Sequence, residues 1–383
     1  MIRHWLASFS RNHLRYHDES IPRSVTSVLL SEAGGTPLRF TGVFFCFRGE
    51  TVDTDKRIRV FSGIQPSGNL HIGNYIGALR NWVRQQNERD CFFCIVDLHA
   101  ITVPQEPAAL FRSTRQAALL YLACGIDPDQ VTMFVQSHRP EHAELCWILN
   151  CVTPVGWLER MTQYKSKSAT QASVSTGLLD YPVLQAADIL LYGADAVPVG
   201  EDQRQHVELS RDIARRFNNL FGETLVLPQA ELPPIGARIM GLDDPTAKMS
   251  KSVAGQKAGH ALRLLDPPDV LRKTIRRAVT DPGREIRFDP GRPGVSNLLT
   301  IYQACSGLEE AAIEAHFRGK GYADLKREVA DLVIEFLRPI RDRYAELEAA
   351  PDYVEQVLLT GAEKAGPVAA ATLQAVKERV GLG

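Results

Sequence analysis

Two stretches hold residue types that together can manage a polyphosphate. The first is Pro66-Ser67-Gly68-Asn69-Leu70-His71-Ile72-Gly73-Asn74. An apolar run at 58–61 leads into it, and a helical pattern at 75–86 leaves it. Strand, glycine-containing turn and helix would place an anion at a helix N-terminus. Unpaired N–H groups and the helix dipole favour negative charge there. Gly68 and Gly73 let backbone approach a ligand, and His71 and Asn74 add donors on the same side. The plain alternative is an ordinary strand-to-helix turn with a buried histidine. The second stretch is Ala247-Lys248-Met249-Ser250-Lys251-Ser252, among Asp, Pro, Thr and Gly residues that read as a loop. Lys248 and Lys251, with serines interleaved, can close on a triphosphate as mobile point charges. Alone, the stretch would be a solvated basic loop.

The elements that must position these residues alternate. Strands are expected at 58–61, 91–96, 132–135 and 196–199. Helices are expected at 107–124, at 141–151 and from 204 to about 218. Alternation of this kind argues for a Rossmann-type, doubly wound parallel α/β sheet. Ligands sit beyond the carboxyl ends of such strands. The turns at 62–74, 97–99 and 200–203 all fall there. Residues 165–176, rich in Ser, Ala, Thr and Gln, read as a mobile surface connection. After Ser252 the strand signals fade. Asp266-Pro267-Pro268 reads as a helix start with Asp266 as N-cap. Leu325, Val329, Leu332, Val333, Phe336, Leu337 and Ile340 recur at helical spacing, and 352–380 is helical, so the second part is an α-helical bundle.

Composition narrows the rest. With 383 residues the chain can hold two domains. A net charge of −1 means that any nucleic-acid surface is a local patch. Seven scattered cysteines argue for reduced thiols in a cytosol-like compartment. Cys91-Phe92-Phe93-Cys94 lies in an apolar run and is read as buried thiols, with no metal site expected. No apolar run reaches about 18 residues, so no membrane span is expected, and nothing points to DNA. Residues 1–56 lack periodicity. Arg3, Arg11 and Arg15 precede the first acid, which is compatible with a transit peptide and an organellar location. The preferred expectation is a disordered extension of a cytoplasmic protein, or upstream sequence wrongly joined to the frame.

Taken together, the two stretches resemble the "HIGH" and "KMSKS" signatures of the class I aminoacyl-tRNA synthetases. Asn74 closes the first, as is usual in the tryptophanyl branch. Phe61-Ser62-Gly63-Ile64-Gln65-Pro66-Ser67-Gly68, the run from Tyr181 to Tyr192, Val199-Gly200-Glu201-Asp202-Gln203 and Gly294-Val295-Ser296-Asn297-Leu298-Leu299 extend the resemblance to bacterial-type members. The resemblance implies tryptophan activation with ATP and Mg²⁺, transfer to tRNA(Trp), a homodimer, a catalytic domain at 57–260 and an α-helical anticodon-binding domain at 261–383. It assigns Gln65, Pro66, Ser67, Gly73, Asn74, Gly200, Glu201, Asp202, Ile239 and Lys248 through Ser252 to ATP. Lys248, Lys251, His71 and Asn74 would act on the reacting phosphates, and Mg²⁺ would be held mainly by ATP. Asp188, with Phe61, Tyr181, Gln203, His99 and Gln163, would hold tryptophan.

The residues themselves support that division. A carboxylate on the apolar helix around Val183, Leu184, Ile189 and Leu190 is costly to bury without a donor, and an indole N–H is a donor only. The alternative for Asp188 is a solvent-facing helix position, and for Glu201 and Asp202 simple complementation of a helix dipole. Gln185 stands where many members have Met. The tyrosine enzyme shares both signatures but must read a hydroxyl that donates and accepts. A silent relative would have no need of both lysines, and a small nucleotidylyltransferase would have no place for the helical second part.

Overall fold

Apolar runs without polar alternation form strands covered on both faces. A computed structural model describes residues 57–66, 70–168, 174–232, 239–250 and 259–382 and places the runs in such a sheet. Strands β1 (Arg59–Ile64), β2 (Asp90–Ile95), β3 (Thr132–Val135), β4 (Ala196–Pro198) and β5 (Gln229–Glu231) pair in the order β3-β2-β1-β4-β5, all parallel. Val60 lies opposite Cys91 on one side and Ala196 on the other. The chain therefore winds outward from β1 in both directions. The gap between β1 and β4 is the switch point at which such folds bind ligands.

Alternate residues of the strands feed two apolar layers. Val60, Ile64, Phe93 and Ile95 face the helix at 72–85 and the later helices; Phe61, Phe92, Cys94 and Phe134 face the other side. Helix α1 comprises a turn at Ile72–Asn74, a π turn at Tyr75–Leu79 and an α-helical stretch at Arg80–Gln85. The expected helix at 75–86 thus opens on a wide turn, a feature frequent at functional sites. Helices α2 (Asp97–Ala100) and α3 (Pro107–Ala123) follow β2. The Glu106 carboxylate caps α3, accepting from the N–H groups of Ala108 at 3.0 Å and Ala109 at 2.6 Å.

Helices α4 (Glu141–Asn150), α5 (Val155–Glu159), α6 (Thr162–Ser168) and α7 (Thr176–Leu191) connect β3 to β4, and α8 (Arg204–Phe221) follows β4. The connection expected at 165–176 is therefore helical through Ser168. Thr176 already begins α7, which is capped by the Ser175 hydroxyl accepting from Leu178 N–H. Residues 169–173 lie outside the described residues, as does the extension at 1–56.

The last third is helical: α9 (Pro268–Arg276), α10 (Pro293–Ser306), α11 (Glu310–Phe317), α12 (Tyr322–Glu348) and α13 (Pro351–Val380). Pro267, not Asp266, caps α9. Asp266 instead accepts the N–H of Arg263 at 3.2 Å, tightening the turn ahead of the two prolines. Residues 57–383 form one compact unit. Helix α13 puts Val354 and Leu358 into the first apolar layer and Ala365, Ala369 and Leu373 into the second. It thus passes across the edge of the sheet beside β3. At Gly361 a Cβ would lie 1.7 Å from the Met133 carbonyl oxygen, so only glycine permits this approach. Covering β3 in this way hides an edge strand that would otherwise invite pairing with another chain.

Candidate active site

The carboxyl ends of β1, β2, β3 and β4 all open on polar residues. His99 lies on α2 just after β2, and Gln136 begins a single 3₁₀ turn after β3. Both converge on Asp188, which projects from α7 and is 1% exposed. That burial removes the solvent-facing alternative. Asp188 Oδ1 accepts from Gln136 Nε2 at 2.6 Å and His142 Nδ1 at 2.7 Å, and Oδ2 accepts from His99 Nε2 at 2.8 Å. Burial pushes the carboxyl pKa up, but the hydrogen bonds from His142 and His99 overcome it and bring it down to about 2. A carboxylate has about four acceptor positions. Three are used inside the protein, which leaves Oδ2 able to take one more donor.

The donors are themselves oriented. Gln136 Oε1 accepts the Leu98 N–H at 3.1 Å, so its amide nitrogen faces Asp188. His142, on α4, is fully buried, and its Nε2 sits 2.8 Å from the Tyr192 hydroxyl. The Tyr192 ring stacks on Phe61 at 5.7 Å with 7° between planes and on Phe92 at 4.9 Å. Phe61 is thereby packed with Tyr192 and Phe92 in the second apolar layer. Tyr181, one turn earlier on α7 than Gln185, bonds His206 Nε2 at 2.9 Å and reaches Gln163 Oε1 at 3.5 Å. Its ring meets His99 edge-on, and burial pushes its phenol up to about 12. Gln163 Nε2 donates to the Asp202 carbonyl at 3.2 Å, and Gln203 Nε2 to the Asp202 carboxylate at 3.1 Å. One chain of contacts therefore links Tyr181 to the turn at Glu201–Gln203. Gln136, His142 and Tyr192 were not singled out as site residues from the sequence. A Gln at the end of a buried strand and a His opening an apolar helix were the available signals.

The nucleotide-signature residues lie in a second cluster. His71 is 3% exposed, and its N–H is accepted by Asn74 Oδ1 at 3.2 Å. A Cβ on Gly73 would press on the His71 ring at 3.1 Å and meet Ile239 at 3.7 Å. Ile72 N–H donates to the Leu262 carbonyl at 2.9 Å, and Leu264 N–H to that of Leu70 at 3.0 Å. The first signature is thus tied to the strand-like segment just after the second. Gln65 is exposed and Pro66 half-buried beyond β1. Gly200 precedes the exposed Glu201 and Asp202, and a Cβ there would lie 2.8 Å from the Asp202 carboxylate.

The second signature begins as one arm of a hairpin. Gly241 N–H donates to the Ala247 carbonyl at 2.9 Å and Met249 N–H to that of Ile239 at 3.2 Å. Met249 is buried, Lys248 exposed and Ser250 half-buried. Ser67, Lys251 and Ser252 lie outside the described residues. Asn297, from the Gly294–Leu299 motif on α10, grips the other arm. Its Oδ1 accepts the Met240 N–H at 2.9 Å, and its Nδ2 donates to the Met240 carbonyl at 3.0 Å. Cys91 and Cys94 are buried in β2, and burial pushes the Cys91 thiol up to about 11.

The family described as class I tRNA synthetases (W and Y) matches residues 53–338. The chain belongs to this family, in its tryptophan branch. A tryptophan–tRNA ligase of Gloeobacter violaceus is 54% identical over 85% of this chain and 96% of its own. That of Wolinella succinogenes is 53% identical over 85% and 98%. The tryptophanyl-tRNA synthetase of Campylobacter jejuni, crystallised with ADP and tryptophan, superposes with a TM-score of 0.76 at 38% identity, covering 85% of this chain and all of that one. The Mycoplasma pneumoniae enzyme gives 0.76 at 37% identity over 85% and 98%. As a class I tRNA synthetase the chain has the expected architecture, a Rossmann-like sheet followed by helices.

Proposed function

We infer that the chain is a tryptophan–tRNA ligase, which activates tryptophan with ATP and then transfers it to the 3′ end of tRNA(Trp). The observation that carries the choice of amino acid is Asp188, a buried carboxylate with three internal donors and one acceptor position left on Oδ2. A ring N–H, which only donates, suits that position. A phenol hydroxyl would leave its own acceptor capacity unused.

In the first step the tryptophan carboxylate attacks the α-phosphorus. The bond to pyrophosphate breaks, and no protein nucleophile is required. The protein's part is to hold two anions together and to offset the charge gathering on the departing pyrophosphate. Lys248 and Lys251 serve that role, with His71 and Asn74 at the signature turn. Gln65, Pro66, Ser67, Gly73, Gly200, Glu201, Asp202, Ile239, Met249, Ser250 and Ser252 line the nucleotide. Magnesium, carried on the ATP phosphates, supplies further neutralisation. Phe61, Tyr181, Gln163, His99 and Gln203 complete the amino-acid end. In the second step a ribose hydroxyl of the tRNA attacks the activated carbonyl and AMP leaves. We assign tRNA binding to the helical part, where Arg284, Arg287, Arg318 and Lys320 line a hollow of about 690 Å³ together with Glu285 and Glu314, Arg287 being paired with Glu285 and Lys320 with Glu328. We assign the chain to the cytoplasm as a homodimer, with organellar import as the alternative if the arginine-containing start is a transit peptide.

ATP–pyrophosphate exchange tests the reading, measured with each amino acid in turn. Exchange dependent on tryptophan is expected. Exchange with tyrosine instead, or with no amino acid, would overturn it.

A further inference from the structure

We propose that His142 and Tyr192 are positioning residues for the recognition of the indole, acting through Asp188. The inference rests on the reading of Asp188 as the group that accepts the ring N–H. Tyr192 is held on its ring faces by Phe61 and Phe92 and is fully buried. Burial drives its phenol pKa far up, so the hydroxyl keeps its proton. A carboxylate only accepts, so His142 Nδ1 carries the proton and donates to Asp188 Oδ1 at 2.7 Å. In that neutral tautomer Nε2 is the acceptor, and the protonated Tyr192 hydroxyl 2.8 Å away is its donor.

The direction of each bond therefore follows from its neighbour, from the carboxylate back to the aromatic stack that holds Tyr192. The consequence is angular. Gln136 and His142 both act on Oδ1, and His99 alone acts on Oδ2. Two fixed donors on Oδ1 set the rotation of the carboxylate plane, and that rotation decides where the unused acceptor position of Oδ2 points. Neither His142 nor Tyr192 needs to touch the substrate to govern this. Groups that hydrogen-bond a ligand-contacting side chain commonly fix the direction in which it makes its contact. The same two residues also pack the core, so the test must separate packing from aim.

Tryptophan and an analogue with sulfur in place of the ring N–H separate them, because only tryptophan makes the bond to Asp188. Pyrophosphate exchange is measured with both on the wild type, Asp188→Ala, Tyr192→Phe, His142→Leu and His142→Asn. The Tyr192→Phe change removes one hydroxyl and one neutral hydrogen bond. It is expected to lower kcat/KM for tryptophan by about 2- to 10-fold, with the analogue unchanged. His142→Leu should lower the tryptophan-to-analogue ratio further. His142→Asn, whose amide nitrogen can stand in for Nδ1, should restore part of it. Equal losses for the two substrates in Tyr192→Phe and His142→Leu, with the ratio collapsed only in Asp188→Ala, would make both residues packing residues and overturn the inference. An unchanged ratio in Asp188→Ala would instead remove the reading of Asp188 itself, and the inference with it.

Discussion

Asp188 carries a consequence that needs no substrate. Its carboxyl pKa is brought down to about 2, against about 3.9 in an unfolded chain. A carboxylate depressed on folding adds stability that is complete above the unfolded value and is lost as pH falls through the folded one. The window is therefore pH ~4 down to ~2, and the amount is ~2 kcal/mol. Denaturant titrations of the wild type and Asp188→Asn should show the wild type losing about that much more across the window. A gap between the two proteins that is independent of pH would contradict the assignment. Asp188 was legible in the sequence because a lone carboxylate on an apolar helix must find donors. Its donors were not legible, because Gln136, His142 and His99 sit on three other elements and meet it only through the fold. Tyr192 belonged to a recognisable motif, yet nothing local showed that its hydroxyl faces a histidine.

Among the elements, the hairpin of the second signature is the part most exposed to remote control. Its Ile239–Leu242 arm is fixed by Asn297 on α10, two hydrogen bonds from a side chain that is 5% exposed. Asn297→Ala should cost ~2 kcal/mol of stability, about 1 kcal/mol for each bond. It should also raise KM for ATP while leaving KM for tryptophan nearly unchanged. A substitution that acted only on folding would leave both constants alone in the surviving folded enzyme. Lys248 lies on the opposite arm, exposed. Lys248→Ala is expected to lower the rate of adenylate formation by about 10- to 100-fold, from the loss of one charge-assisted contact. Single-turnover assays would read this directly, and an unchanged rate would count against a role for that lysine. Strands β1 to β3 were readable because both of their faces are buried, which leaves unbroken apolar runs. Strand β5, Gln229–Glu231, was not, since it is short and polar and lies at the sheet edge. The π turn at Tyr75–Leu79 has no composition of its own and emerges only from how α1 seats on the sheet.

For the whole molecule, the meeting of α13 with β3 ties the helical part to the sheet. Gly361→Ala would force a Cβ to within 1.7 Å of the Met133 carbonyl oxygen, so helix and strand must separate. A loss of several kcal/mol is expected, in the range of overpacking or greater (~1–3 kcal/mol). Gly77→Ala, where nothing lies within 4 Å, should be neutral or stabilising by up to ~1 kcal/mol. Urea melts of the two variants make the comparison. Similar midpoints would mean that the close approach is not maintained in solution. Removal of residues 1–56, by contrast, is expected to leave the melting temperature and exchange activity unchanged, because residues 57–383 form a compact unit by themselves.

The same crossing sets an order on biosynthesis. Helix α13 emerges from the ribosome long after β3, whose Met133 backbone it shields. Until then the nascent chain presents an uncovered strand edge and two unfinished apolar layers. A message truncated just before codon 351 would yield a polypeptide with every signature residue yet with that edge open, and its fate would be aggregation or proteolysis in place of slow catalysis.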